Sequence, residues 1–66
     1  MRIKLDKEGD ALYFRLSDED ILESEEVSPG VILDFDEKGR VVGVEFLNIS
    51  ERANQQEIAN LQFQTA

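Results

Sequence analysis

Cysteine, histidine and tryptophan are absent from this sequence, and proline, methionine and tyrosine occur once each. Without cysteine there is no disulfide and no thiolate metal site, and the redox compartment leaves no mark on the chain. Without histidine the commonest zinc ligand and the commonest general base are both missing. Ser17, Ser24, Ser28, Ser50 and Thr65 have no imidazole to activate them, which excludes a serine triad. Basic residues are scarce too: 7 against 15 acids give a net charge of −8. Phosphate backbones repel such a surface, so no direct nucleic-acid contact is expected. A basic protein would be drawn to it, faster at low salt, while solvated acid also serves plain solubility. No apolar run approaches the roughly 18 residues of a membrane span. The start, Met1-Arg2-Ile3-Lys4-Leu5, lacks the apolar centre of a signal peptide. The expectation is a cytoplasmic protein with no membrane partner.

The 66 residues suffice for one domain, 1–66, with a sheet over 1–47 and a helix and tail over 48–66. A chain this short buries only about 60% of its unfolded surface. Small domains usually compensate with disulfides, a structural metal or oligomerisation. With cysteine and histidine gone, good hairpin design or burial against another chain remains.

Hairpin design is written into the chain twice. Ile3 and Leu5 alternate with Arg2, Lys4 and Asp6, and Leu12, Phe14 and Leu16 alternate with Ala11, Tyr13 and Arg15. This is the period of half-buried strands. Between them Lys7-Glu8-Gly9-Asp10 offers a glycine for the positive φ of a tight turn. Thirty residues on, Phe35-Asp36-Glu37-Lys38-Gly39 repeats Leu5-Asp6-Lys7-Glu8-Gly9, and Val42, Val44 and Phe46 repeat Leu12, Phe14 and Leu16. Parity argues for the register. Asp6 opposite Ala11 and Asp36 opposite Val41 leave even loops and gather both apolar sets on one face; a three-residue loop would throw the second strand's set to the other side. Between the hairpins, residues 21–27 read as a charged strand at a sheet edge, where acids discourage further pairing. Ser28-Pro29-Gly30-Val31 has the composition of a type II turn.

From Asn48 onward glycine and proline disappear, and residues 51–63 read as a helix capped by Asn48 or Ser50. Its apolar residues, Ala53, Ile58, Leu61 and Phe63, spread too widely to form one stripe. The fold expected is α+β: an antiparallel β-meander of about five strands with one C-terminal helix. One short helix is a thin cover for such a sheet face, and Tyr13, Ile32, Val41 and Leu47 add a smaller patch on the opposite side. Uncovered apolar surface on a small domain marks an interface. The candidate contact residues are Tyr13, Ile32, Val41, Gly43, Leu47, Ile58, Leu61 and Phe63, and the partner expected is a second copy, forming a homodimer, or a basic protein. Gly43, mid-strand, suggests a bulge or the close approach of another chain.

Other constellations argue less well. Asp34, Asp36, Gly39 and Glu45 fall at positions 1, 3, 6 and 12 of a calcium loop. Lys38, however, places an ammonium where an oxygen ligand belongs, and the flanks are strands. The pairs Asp34/Asp36 and Glu23/Glu25 could in principle do acid–base work. They read instead as solvated acids, because so small a chain hardly builds the walled cleft such work needs. No catalytic, metal or cofactor residues are assigned, and the chain is not expected to be an enzyme.

The run Asp10-Ala-Leu-Tyr-Phe-Arg-Leu16 and the run Pro29-Gly-Val-Ile-Leu-Asp-Phe-Asp-Glu-Lys-Gly-Arg-Val-Val-Gly-Val-Glu45 resemble a family of short prokaryotic proteins, domain-of-unknown-function family 2283. The match covers about residues 3–50; Leu5 stands where an aromatic is common and Gly9 where alanine is frequent. The resemblance implies a fold and no catalytic residues. Members are often encoded beside small proteins resembling RelE-like ribonuclease toxins, which implies an antitoxin role. The function expected is therefore a non-catalytic protein-interaction module, in its sharpest form an antitoxin-like binder of a basic partner. The alternatives are a small-ligand or calcium-binding protein and a purely structural homo-oligomer.

Overall fold

A computed structural model describes residues 1–64, with side chains described through Leu61. The strands are β1 (Arg2–Asp6), β2 (Ala11–Arg15), β3 (Glu23–Ser28), β4 (Val31–Phe35) and β5 (Val41–Leu47), followed by a 3-10 turn at Ile49–Glu51 and a helix, α1 (Gln55–Gln64). All four pairings are antiparallel, in the order β1-β2-β5-β4-β3. The α+β expectation holds, but the strands do not follow one another across the sheet as in a simple meander. β5 lies at the centre, and the charged β3 forms the far edge, one residue or two later than the 21–27 expected.

The first hairpin has the expected register, with Asp6 opposite Ala11, Leu5 opposite Leu12 and Ile3 opposite Phe14. Its turn differs in chemistry. Asp10, at φ 54°, holds the left-handed position that Gly9 was expected to take. Gly9 is constrained by space: a Cβ there would stand 2.6 Å from Oδ2 of Asp6, whose Oδ1 accepts the Gly9 N–H at 3.0 Å.

The second hairpin is of another design. The Asp36 N–H donates to Arg40 O and the Gly39 N–H to Asp36 O, both at 3.0 Å, with Gly39 at φ 79°. This is a three-residue loop, Glu37-Lys38-Gly39, closed by a glycine bulge. The even loop expected here is overturned, and so is the Asp36–Val41 pairing: Val41 lies opposite Phe35, not Asp36. The odd loop does not flip the sheet, because the ladder slips once more at Asp34/Phe35. There Asp34 pairs with Gly43 and Phe35 with Val41, leaving Val42 without a partner on β4. Two odd irregularities restore even parity. Beyond the slip Leu33 faces Val44 and Val31 faces Phe46, as the apolar pattern requires. Partners in a ladder share a face, so Val41 moves to the side of Phe35, opposite to its expected side.

At β3–β4, Ser28 and Val31 flank Pro29-Gly30, and Gly30 takes φ 77° as a type II turn requires. A shift between Glu26 and Ser28 absorbs the splay of that turn. The same end of the sheet is clasped by the segment after β5. Asp10 accepts from the Ser50 N–H (3.0 Å) and the Ser50 hydroxyl (2.6 Å), while Arg52 donates to Pro29 O at 2.6 Å. Ser50 is thus a clasp and not a helix cap, and Asn48, at φ 54°, caps nothing through its side chain. The helix starts at Gln55 instead of 51, because Asn54 Oδ1 accepts the Glu57 N–H at 2.8 Å. Asn54-x-x-Glu57 has the spacing of a capping box.

The core is slight. Leu12, Val42 and Ile49 are buried with Ala11, yet among the described residues no large side chain is fully enclosed.

Candidate interaction surface

The ladders sort the sheet into two chemically distinct faces. One takes Ile3 and Leu5 from β1, Leu12 and Phe14 from β2, Val44 and Phe46 from β5, and Val31, Leu33 and Phe35 from β4. Glu23 and Glu25 on β3, opposite Phe35 and Leu33, supply its charge. Phe14 and Phe46 meet edge to face, centroids 6.2 Å apart and planes at 88°, a favourable aromatic geometry. Of these nine apolar residues Leu12 is buried, seven are half-buried and Ile3 is 37% exposed, while Val42, in step with Val44 and Phe46 on β5, is buried as well. Beyond the end of β2, Leu16 is 40% exposed. The helix reaches the sheet at the Leu5 corner, where Leu5, Ile49, Ile58 and Ala59 line a depression of about 390 Å³.

The other face is polar and braced. Tyr13 on β2 donates its hydroxyl to Asp34 Oδ2 on β4 at 2.7 Å, and Ser24 on β3 donates to Asp34 Oδ1 at 2.6 Å. The brace therefore spans four adjacent strands, crossing β5 above Gly43. A Cβ on Gly43 would stand 2.6 Å from both the Tyr13 hydroxyl and Asp34 Oδ2. The close approach anticipated at Gly43 is made by this chain's own side chains, not by a neighbour's. Asp34 was expected to be solvated; it is 8% exposed with both oxygens bonded, which is how a buried carboxylate is satisfied. Burial, and then the bond to Asp34, raise the Tyr13 phenol above its usual pKa, with Arg15 opposing.

Asp36 is the second acid that is not solvated, at 4% exposed. Its Oδ1 accepts the N–H groups of Lys38 and Arg40, both at 2.9 Å, and its Oδ2 accepts Arg40 Nε at 3.0 Å. The Arg40 N–H, more than any other contact, lowers its carboxyl pKa; burial works against this, and the Arg40 guanidinium and Lys38 N–H reinforce it. The oxygen that a calcium loop would present is thus spent on the turn. Among the described residues no group of three or more acids is placed to hold a metal ion. Asp18, Glu19 and Asp20 border a wide depression of about 610 Å³ beside Arg40. The loop carrying them is tied down by Arg15, which donates to Ser17 O at 2.6 Å and to Glu19 O.

The eight candidate contact residues do not form one surface. Tyr13, Gly43, Ile32 and Leu47 lie on the braced face and Val41 on the apolar side, while Ile58 and Leu61 are half-buried on α1. The Phe63 side chain falls outside those described. Asp34 and Ser24 were missed as brace partners. The legible signal was Gly43: a glycine in mid-strand points to something crossing above it, and Asp34 is its ladder partner.

Among the described residues no helix is long and apolar enough to cross a membrane. The chain belongs to the family described as protein of unknown function, DUF2283, whose family model matches residues 2–50, the whole sheet and the Asp10–Ser50 clasp. Comparison with curated proteins and with solved structures gives no significant match to either.

Proposed function

We propose that this protein is a non-catalytic interaction module that works by burying the apolar face of its sheet against another polypeptide. The observation that carries the reading is the incomplete cover of that face: of the apolar residues from four strands that share it, Leu12 and Val42 are buried, seven are half-buried and Ile3 is exposed. Contiguous apolar surface of this kind is uncommon on a finished monomer and marks a contact site. The two groups with shifted pKa values support the same reading, since Tyr13 serves the brace and Asp36 the turn. Net charge −8 favours a basic polypeptide as that partner, the antitoxin-like form of the proposal.

The test is site-specific photo-crosslinking in the source cell. A benzophenone side chain at Ile3 should yield a covalent adduct with a polypeptide, while one at Lys38 in the second turn should not. Absence of any adduct from Ile3, or equal yield from both positions, refutes the reading.

A further inference from the structure

We infer that the free edge of β3 takes up a basic, extended segment of another polypeptide as a sixth strand. This contact lies beyond the apolar face, at the margin of the sheet, and either can exist without the other.

The backbone decides the edge. Leu47 donates its N–H to Gly30 O, and Leu22 donates its N–H to Phe35 O. Main-chain groups alternate sides along a strand. Gly30, Ile32 and Asp34 therefore turn theirs toward β5, and Val31, Leu33 and Phe35 turn theirs toward β3. Glu23 and Glu25, the ladder partners of Phe35 and Leu33, bond inward to β4. Ser24 and Glu26, opposite Asp34 and Ile32, point their N–H and C=O groups out of the sheet. β3 is last in the strand order, and every one of its residues is exposed. The edge at β1 is partly covered, because α1 reaches it at Leu5. A row of unpaired main-chain groups is a template for one more strand. The shift between Glu26 and Ser28 ends the row, so the added strand is short. Leu22, just before β3, and Val27, near its end, are after Met1 the most exposed large apolar side chains among the described residues. Apolar surface thus stands at both ends of the edge.

Charge names the occupant. Residues 18–30 hold six acids, Asp18, Glu19, Asp20, Glu23, Glu25 and Glu26, and neither lysine nor arginine. Another β3 laid along this edge would set acid beside acid, which closes it to a second copy in that pairing. A strand carrying lysine or arginine opposite Glu25 gains a cross-strand ion pair instead. In the antiparallel pairing used throughout this sheet, Glu25 would occupy a non-hydrogen-bonded position of the new ladder, where opposed side chains stand closest. A base two residues along the same strand would meet Glu23. The unpaired main chain binds, and the acids select against neutral and acidic strands.

The test uses the full chain and an alternating lysine–threonine heptapeptide at low salt, with amide hydrogen exchange followed by NMR. Saturating peptide should slow exchange at Ser24 and Glu26 by about tenfold or more. A lysine–proline heptapeptide of equal charge, whose prolines have no N–H to donate, should bind about tenfold more weakly or worse. The glutamate–threonine heptapeptide should not bind. Glu25→Lys, at an exposed position, should weaken the lysine–threonine peptide by roughly three- to tenfold while the β-sheet circular dichroism is kept. No saturable binding, no slowing at Ser24 and Glu26, or equal binding of the lysine–proline peptide overturns the added strand. Binding indifferent to Glu25→Lys, or shared by the glutamate–threonine peptide, overturns the basic partner. An Ile3 crosslink without protection at Ser24 and Glu26 refutes the edge alone; protection without an Ile3 crosslink supports the edge and refutes the apolar-face reading alone.

Discussion

Replacing Gly43 by alanine probes the brace that crosses the polar face. The new methyl would stand 2.6 Å from the Tyr13 hydroxyl and from Asp34 Oδ2, closer than such contacts allow. Both side chains must turn away, and the 2.7 Å bond between them is lost. A hydrogen bond to a charged acceptor contributes about 1.5–3 kcal/mol, and the half-buried Tyr13 places this one near 1.5–2. Against that, removing a strand glycine returns about 0.5–1 kcal/mol of backbone entropy. Gly43→Ala should therefore destabilise by about 1 kcal/mol and Tyr13→Phe by about 1.5–2. The informative variant is the double. The same bond cannot be lost twice, so the pair should fall short of the sum by about 1.5 kcal/mol, well outside the scatter of independent sites. Thermal unfolding followed by circular dichroism resolves this, since 1 kcal/mol moves the midpoint of so small a domain by roughly 4–8 °C. Protein concentration must be held fixed because association shifts the midpoint. Additive losses, or a neutral or stabilising Gly43→Ala, would refute the brace.

The phenol gives an independent check: its folded pKa is raised, so its contribution is complete below the unfolded value near 10 and is lost as pH rises through the folded value. Wild type should lose stability at that alkaline edge, and Tyr13→Phe should lack this loss in a pH series of urea midpoints. At Asp36 the sign reverses, because its folded pKa is lowered. Its contribution is present above the unfolded value of 3.8 and disappears as pH falls through the folded one; Asp36→Asn should flatten the acid limb of the same series. Gly39→Ala meets no atom within 4 Å but inherits φ 79°, so it should cost about 1–2 kcal/mol by strain alone, measurable by urea unfolding, and Gly39→Asn should cost less. Asn54→Ala removes the acceptor of the Glu57 N–H and should lower helicity at 222 nm, with about 1 kcal/mol of helix stability lost.

Much of the sheet was legible because side-chain period and face are rigidly linked. Ile3 and Leu5, or Leu12 and Phe14, can share one face only if their hairpin has even parity, and the first hairpin has the residue pairs that follow. The same rule held for Leu33, Val44, Val31 and Phe46, but by a route the pattern does not specify. Parity constrains the sum of irregularities, not each one. An even loop, or an odd loop followed by an odd slip, brings Leu33 to Val44 equally well, and only the Asp36 carboxylate, gathering the Lys38 and Arg40 N–H groups, selects the second. That selection is local hydrogen bonding, invisible to apolar periodicity. It also explains why Val41, between loop and slip, was placed on the wrong side while its neighbours were not.

The braced site was legible in its exception and not in its members. Tyr13, Ser24 and Asp34 each have an ordinary surface reading when taken singly, and they are ten residues or more apart. A glycine at the centre of β5 has none, since it forgoes side-chain packing and pays backbone entropy. Once the strand order puts β2, β5, β4 and β3 side by side, Asp34 becomes the lateral neighbour of both Gly43 and Ser24, and Tyr13 comes within reach from the far side. The helix boundary failed for the complementary reason: Ser50 and Asn54 are both good caps locally, and the choice was made by Asp10, forty residues upstream, which takes Ser50 for itself. The apolar face follows the same logic at a larger scale. Its incomplete cover is foreseeable from the apolar alternation of four strands and one short helix, because too little chain remains to cover them.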